Sequence, residues 1–407
     1  MLYSVRKTDV KLTNLVNVLK CAMQRKETTK PQIAKELGLS LPTASLLVDE
    51  LIEQGFLHLS GTGASTEAGG KKPKIVSIDP QGRHMIALHI GIESIEAALI
   101  DLEATIKRTV RKPVAFDESI DALTAKIREL IETLLAAAEK EGFRMFGIGV
   151  TTPGIVDSQN GTAQMAANFH SIKGLPIRKM LTIYDLPVWV DNECRGLALA
   201  ENWFGLGRRH KDFITLYTDI GIGAGVVINN DIVRGADYSF GEIGHMTVQL
   251  GGTLCSCGNR GCWETLASSK ALLKLVGSQL EQTALLGQWV AAGEPLTIEL
   301  ITKAIQEGDA LVKDIAINQL GLFLAAGISN LVNTFNPDSI IIHGAISTLG
   351  EQLLESVRDN VARTALSIPA SRVEIRYSQY GYEGHLIGAA ALALKELLQQ
   401  PELIMTC

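Results

Sequence analysis

At 407 residues the chain is too long for one ordinary core and implies two or three domains. It is 46% hydrophobic, 20% charged and rich in glycine, the profile of a soluble globular α/β protein. Net charge is −6, yet residues 1–75 hold 11 Lys+Arg against 7 Asp+Glu, a net of +4 that leaves −10 for the rest. A basic first fifth on an acidic body suggests a small anion-binding module.

No apolar run approaches the roughly 18 to 20 residues of a membrane span. Arg6, Lys7 and Asp9 lead into a polar amphipathic pattern, so no signal peptide is expected. Cys21, Cys194 and Cys407 are scattered and suggest no disulfide framework. The expected compartment is the cytoplasm.

In chain order, Leu12, Leu15, Val16, Leu19, Ala22 and Met23 recur at helical spacing. Thr28 and Thr29 offer caps for a second helix that starts near Pro31 and carries Ile33, Ala34 and Leu37. Gly38 can take a left-handed turn, and Ser40 is placed to cap a third helix, from about Pro42 to Gln54 and ended by Gly55. Ala44, Leu47, Val48, Leu51 and Ile52 form its buried side. Three such helices make a helix-turn-helix whose third member would enter a DNA major groove. Ser40, Thr43 and Ser45 are its candidate base or phosphate contacts.

Residues 56–59 and 74–78 alternate like the strands of a wing. Between them runs a glycine-rich loop ending Gly70-Lys71-Lys72-Pro73, and Gly70, Lys71 and Lys72 suit a narrow A·T-rich minor groove. From residue 85 the pattern becomes strands and helices: strands at 85–91 and 94–101, a helix at about 118–141, and a buried strand at 146–150. A second strand pair follows at 213–218 and 224–229, with Gly221, Gly223 and Gly225 assigned to the turn. Each half of the body thus opens on a glycine-tipped hairpin, which fits two α/β lobes with a ligand cleft between them.

The segment from Glu242 to Glu264 carries His245, Cys255, Cys257 and Cys262, three cysteines within eight residues separated by glycines. Three soft thiolates and one imidazole on short loops are the ligand set of a structural Cys₃His zinc site. After it come a long helix around 312–335, an apolar strand at 339–342 and a final helix at about 384–399.

Gly221-Ile-Gly223-Ala-Gly225-Val226, Gly235, Gly241-Glu-Ile-Gly244-His245 and the cysteine motif at 255–264 together resemble the ROK family of repressors, open reading frames and kinases. The leading helix-turn-helix resembles its repressor branch, the NagC, Mlc and XylR-type regulators. The resemblance implies α/β architecture, with a winged helix-turn-helix and linker at 1–82 followed by a two-lobed actin-like sugar-kinase fold. The first lobe would comprise 83–195 plus 384–407. The second, 196–383, would carry the zinc site and the oligomerisation surface.

By the same resemblance, Gly154, Asn168, Asn192, Glu193, Glu242, His245 and Glu264 would bind a sugar, with zinc acting structurally. Partners implied are operator DNA, a sugar or sugar-derivative inducer, and a homodimer or homotetramer. A second mode of control is sequestration on a membrane transporter of the phosphotransferase system.

The kinase elements differ from the family pattern. His89-Ile90-Gly91-Ile92-Glu93 stands for Asp-x-Gly-Gly-Thr, and Asp219-Ile220-Gly221 for Gly-Thr-Gly. His343-Gly344-Ala345 replaces a glycine run, and Glu193 takes the catalytic aspartate's place. These changes imply a protein that does not transfer phosphate, with no catalytic residue assigned.

Overall fold

A computed structural model describes residues 7–63, 72–115 and 117–406. The proposed DNA contacts Gly70 and Lys71 lie outside the described residues.

The three N-terminal helices are Lys7–Arg25 (α1), Lys30–Leu37 (α2) and Leu41–Glu53 (α3). Their caps are the expected ones. Thr29 accepts from the Gln32 amide, Gly38 turns left-handed at φ 64, and Ser40 accepts from the Thr43 amide. Ala44, Leu47, Val48 and Leu51 bury one side of α3.

The wing strands Leu57–Thr62 (β2) and Lys74–Ile78 (β3) pair antiparallel. A strand the sequence did not announce, Glu27–Thr29 (β1), joins β3 on its other edge. Thr28 and Thr29 offer caps in the sequence, yet β-branched residues serve an extended segment equally well. Arginines beyond the wing fasten this module through backbone carbonyls at the end of α3. Arg83 Nε donates to Gln54 O at 2.7 Å, its backbone N–H to Gly55 O at 3.1 Å, and Arg144 Nη1 to Glu53 O at 3.4 Å. The last turn of a helix leaves such carbonyls without intrahelical partners.

Two five-stranded sheets form the body. The first is built from Arg83–Ile90 (β4), Ser94–Asp101 (β5), Ile106–Pro113 (β6), Arg144–Thr152 (β7) and Val188–Asn192 (β10). Its strand order is β10-β7-β4-β5-β6. Strand β6 is absent from the sequence reading; its exposed Arg108, Thr109 and Arg111 suit a sheet edge, and β4 to β6 form a meander. The helix Ile120–Glu141 (α4) is capped by Ser119 and closed by Gly142. A small hairpin, Ile155–Asp157 (β8) and Thr162–Met165 (β9), follows β7.

The second sheet comprises Phe213–Thr218 (β11), Ile222–Ile228 (β12), Asp231–Ile232 (β13), Ser339–His343 (β14) and Glu374–Tyr377 (β15), in the order β13-β12-β11-β14-β15. Here the assignment of three glycines to one turn needs correction. Gly221 lies in the turn, but Gly223 and Gly225 lie within β12. A Cβ on Gly223 would sit 2.6 Å from Cys194 Sγ, and one on Gly225 would sit 2.2 Å from Cys194 O. These glycines let the helix Glu193–Phe204 lie directly on the strand.

The long helix expected at 312–335 is also interrupted, by a π-helical segment at Asp314–Gln319. Over Ala310–Phe335 it is long and apolar enough to cross a membrane by length and composition, contrary to the reading that no segment approaches a span. Counting uninterrupted apolar runs missed it because polar residues such as Asn318 and Gln319 break the run. Two thirds of its most apolar window is buried inside the protein, the position of a core helix.

The chain divides into two compact units. One comprises residues 1–151, 176–190 and 389–407; the other comprises 152–175 and 191–388.

Candidate functional site

The cysteine segment folds as a knot of short turns. Cys255 N–H donates to Asn259 O and Gly258 N–H to Cys255 O, with Gly258 at φ 91. Gly261, at φ 72, passes so close to Gln249 that a Cβ would lie 1.7 Å from its carbonyl oxygen. Only glycine fits there. The knot is anchored by Trp263, fully buried, whose indole N–H donates to Phe323 O at 2.8 Å on the core helix Leu320–Phe335.

This folding brings together one atom each from His245, Cys255, Cys257 and Cys262, all within 4.8 Å of one another. His245 Nδ1 lies 3.6 Å from Cys255 Sγ, and Cys257 Sγ lies 3.7 Å from Cys262 Sγ. A tetrahedron with Zn–S of ~2.3 Å and Zn–N of ~2.05 Å has edges of about 3.6 to 3.8 Å. The donors therefore fit zinc in chemistry and in spacing. The side-chain amide of Asn259 donates to Cys262 Sγ at 3.5 Å and to Thr247 Oγ1 at 3.0 Å, the kind of outer support that orients a metal ligand. Burial pushes the Cys255 thiol up to about 12, and its hydrogen bond to Glu264 adds to the rise. Bound zinc would have to displace that proton.

The residues assigned to a sugar all lie in the second unit. Glu264 stands between the metal donors and the rest. Its Oε1 accepts from Cys255 Sγ at 3.0 Å and lies 3.8 Å from His245 Nδ1. Its Oε2 faces the turn at Gly221, where a Cβ would meet Oε2 at 3.2 Å and the Asn168 side-chain nitrogen at 3.6 Å. The other ring nitrogen of His245, Nε2, lies 3.9 Å from Glu242 Oε2. Asp219 and Glu242 are both near enough to act on Glu193. Burial first, and the charges of Asp219 and Glu242 second, raise Glu193 to about 8. Burial likewise raises Glu242, against the pull of His245 and Arg195.

Asn192 and Gly154 are joined differently. The Asn192 amide oxygen caps the helix Glu193–Phe204 by accepting from Cys194 N–H at 2.8 Å and Arg195 N–H at 3.2 Å. Its amide nitrogen donates to Gly154 O at 2.8 Å. Gly154, at φ 80, could carry no side chain, since a Cβ would lie 2.2 Å from Met165 O. Asn192 thus spends most of its hydrogen bonds holding this turn and helix in register.

Sequence reading missed two supports. Asp219 is held on both oxygens, by Ser269 Oγ at 3.0 Å and by the Tyr217 hydroxyl at 3.1 Å. The i, i+2 spacing of Tyr217 and Asp219 at a strand end was the available signal. Arg195 forms a buried pair with Asp191 at 2.6 Å and donates to the carbonyls of Tyr238 and Val156. A buried arginine needs such partners, and because Asp191 lies in strand β10 while Arg195 lies in the following helix, helical spacing gave no signal for the pair.

Of the described DNA candidates, Ser40 caps α3, Thr43 and Ser45 lie near its amino end, and Lys72 precedes β3. Ser40 and Thr43 are exposed, with their hydroxyls 2.8 Å apart, Ser45 is half-buried, and Lys72 is exposed beyond the loop.

Residues 85–396 match the ROK family. The chain belongs to that family. It is 31% identical over 400 residues to the xylose repressor of Caldicellulosiruptor bescii, covering 97% of this chain and 98% of that one. The structure superposes on that of a ROK family transcriptional regulator, a homolog of the E. coli MLC protein, with a TM-score of 0.83, 26% identity and coverage of 97% and 98%. A ROK glucokinase from Streptomyces griseus, solved with glucose and AMPPNP, matches with a TM-score of 0.68 and 27% identity over 77% of this chain and 99% of its own. The fold is therefore the two-lobed ROK fold preceded by a winged helix-turn-helix, and the chain is of the family's repressor type.

Proposed function

We propose that this ROK protein is a cytoplasmic, sugar-responsive transcriptional repressor. Ser40, Thr43, Ser45, Gly70, Lys71 and Lys72 would contact operator DNA. Gly154, Asn168, Asn192, Glu193, Glu242, His245 and Glu264 would form the sugar site. Zinc on His245, Cys255, Cys257 and Cys262 would have a structural role only.

One observation carries the reading. Glu264 uses one oxygen on the metal-donor side and turns the other toward Asn168 and the Gly221 turn. A polyol presents hydroxyls that each give and accept a hydrogen bond, and carboxylates, amides and an imidazole satisfy them in pairs. The sugar-side chemistry is thus built on the metal knot.

The engagement of Asp219 supports a regulator over a kinase. A carboxylate held by Tyr217 and Ser269 sits in the loop where family kinases carry Gly-Thr-Gly, and it would repel a nucleotide phosphate. Dimeric or tetrameric assembly would place two α3 helices on half-sites about one DNA turn apart, so a sugar-driven change in their spacing would cost affinity.

The test is a gel-shift with DNA from the gene's own upstream region, repeated with xylose, glucose, N-acetylglucosamine and their phosphates. One of these should weaken operator binding at least tenfold, and Glu242→Ala should abolish that response while leaving sugar-free binding intact. Operator binding that no sugar alters would move control to the phosphotransferase-system transporter. Hexose-dependent ATP hydrolysis without DNA binding would overturn the repressor.

A further inference from the structure

The outward face of α3 is unusual for a helix meant to lie against DNA. The helix Leu41–Glu53 contains no Lys, Arg, Asn or Gln. It therefore lacks the side chains that read guanine and adenine bidentately in the major groove. Its acidic residues are partly neutralised by lysines from the other two helices. Asp49 Oδ1 lies 2.5 Å from Lys30 Nζ, and Glu50 Oε1 lies 2.7 Å from Lys11 Nζ. The Thr43 hydroxyl, at the amino end, pairs with Ser40.

At helical spacing, Ala44, Leu47, Val48 and Leu51 define the buried side, which places Pro42, Leu46 and Asp49 on the middle of the opposite side. Leu46 is 60% exposed there, in the second turn of the helix. A single exposed leucine is ordinary on a protein surface. This one stands at the centre of the face that a winged helix-turn-helix turns toward bases, on a helix stripped of the usual base-reading groups.

We propose that Leu46 is a specificity-determining residue that packs on the C5 methyl of a thymine in each operator half-site. The inference rests on the repressor reading above. Among major-groove edges, the thymine methyl is the apolar one, so it is the partner whose chemistry matches. Removing one methyl from such a contact should cost about fourfold in affinity, the worth of one buried CH₂.

The experiment uses the full-length protein without sugar. Its preferred site is first selected from random duplex DNA, and each thymine is then replaced singly by deoxyuridine, which lacks only the methyl. With the wild-type chain, one or two positions per half-site should lose about three- to tenfold in affinity. In Leu46→Ala the same replacements should cost nothing, because the methyl no longer has a partner. Leu46→Ala should keep its thermal stability and zinc content, since the residue is exposed. If the protein selects a site but no uracil replacement matters, or if the penalty persists in Leu46→Ala, the inference is overturned and the repressor reading stands. If the protein selects no sequence at all, both fall.

Discussion

Two regions of this molecule handle acidic side chains in opposite ways. On α3, Asp49 and Glu50 are exposed or half-exposed and each has a lysine from a neighbouring helix. In the second unit, Glu242 and Glu264 both lie beside His245, and Asp219 and Glu242 act on Glu193, which is held up at about 8. The first arrangement removes charge from a surface that under the proposed function would approach a polyanion. The second keeps like charges close, at a cost in folding free energy, where under the proposed function a neutral ligand rich in hydroxyls would use them. Stability is given up where a ligand is to be bound.

The contrast breaks most visibly if the metal knot is not what holds the acidic cluster. Purified protein should carry about one zinc per chain by elemental analysis. Cys262→Ser, which alters a fully buried donor, should lose the metal and about 3 kcal/mol of stability, a fall in Tm of roughly 5–10 °C. It should also weaken sugar binding, because the turn that carries Glu264, two residues after Cys262, loses its tie to the knot. Full zinc content with an unchanged Tm would show that the knot stands without its thiolates.

Protonation sharpens the comparison further. Glu193 loses its proton near 4.5 in the unfolded chain and near 8 in the folded one. Between those values the folded state binds more protons than the unfolded state, so sugar-free stability should fall as pH rises from about 4.5 to 8 and level off beyond. The slope from this one group is at most ~1.4 kcal/mol per pH unit. Glu193→Gln should remove that slice of the pH profile in chemical denaturation, leaving the variant more stable than wild type at pH 8 and closer to it at pH 5. An identical profile in both proteins would mean that the cluster is not strained.

How much of this was legible in the sequence depends on how local the cause is. The caps at Thr29, Ser40 and Ser119 and the ends at Gly38 and Gly142 follow from side chains acting on their own backbone, and they were readable or present as plain signals. The four candidate metal donors stand out in the sequence by their spacing, and the fold brings one atom of each within 4.8 Å of the others. Strands β1 and β6 were not, because an edge strand exists only through the partner that pairs with it. The role of Gly223 and Gly225 was hidden for a similar reason. Their lack of a side chain serves Cys194 and its helix, some thirty residues earlier, and nothing nearby in sequence says so. The division of labour within Asn192-Glu193 was equally invisible. Asn192 caps a helix, while Glu193 is buried with the charges of Asp219 and Glu242 near it.

The smallest effect tests the other half of the comparison. Lys30→Ala frees Asp49, which is 62% exposed, so the pair contributes little to folding and stability should change by less than about 0.5 kcal/mol. Operator affinity should fall about two- to fivefold at low salt, since an unpaired carboxylate would face the DNA, and the difference should shrink as salt rises. Lys30 could instead contact a phosphate directly, and a second background separates the two causes. In Asp49→Asn there is no carboxylate to neutralise, so adding Lys30→Ala should leave affinity unchanged. A loss that persists in Asp49→Asn would make Lys30 a phosphate contact and remove charge suppression as the design of α3.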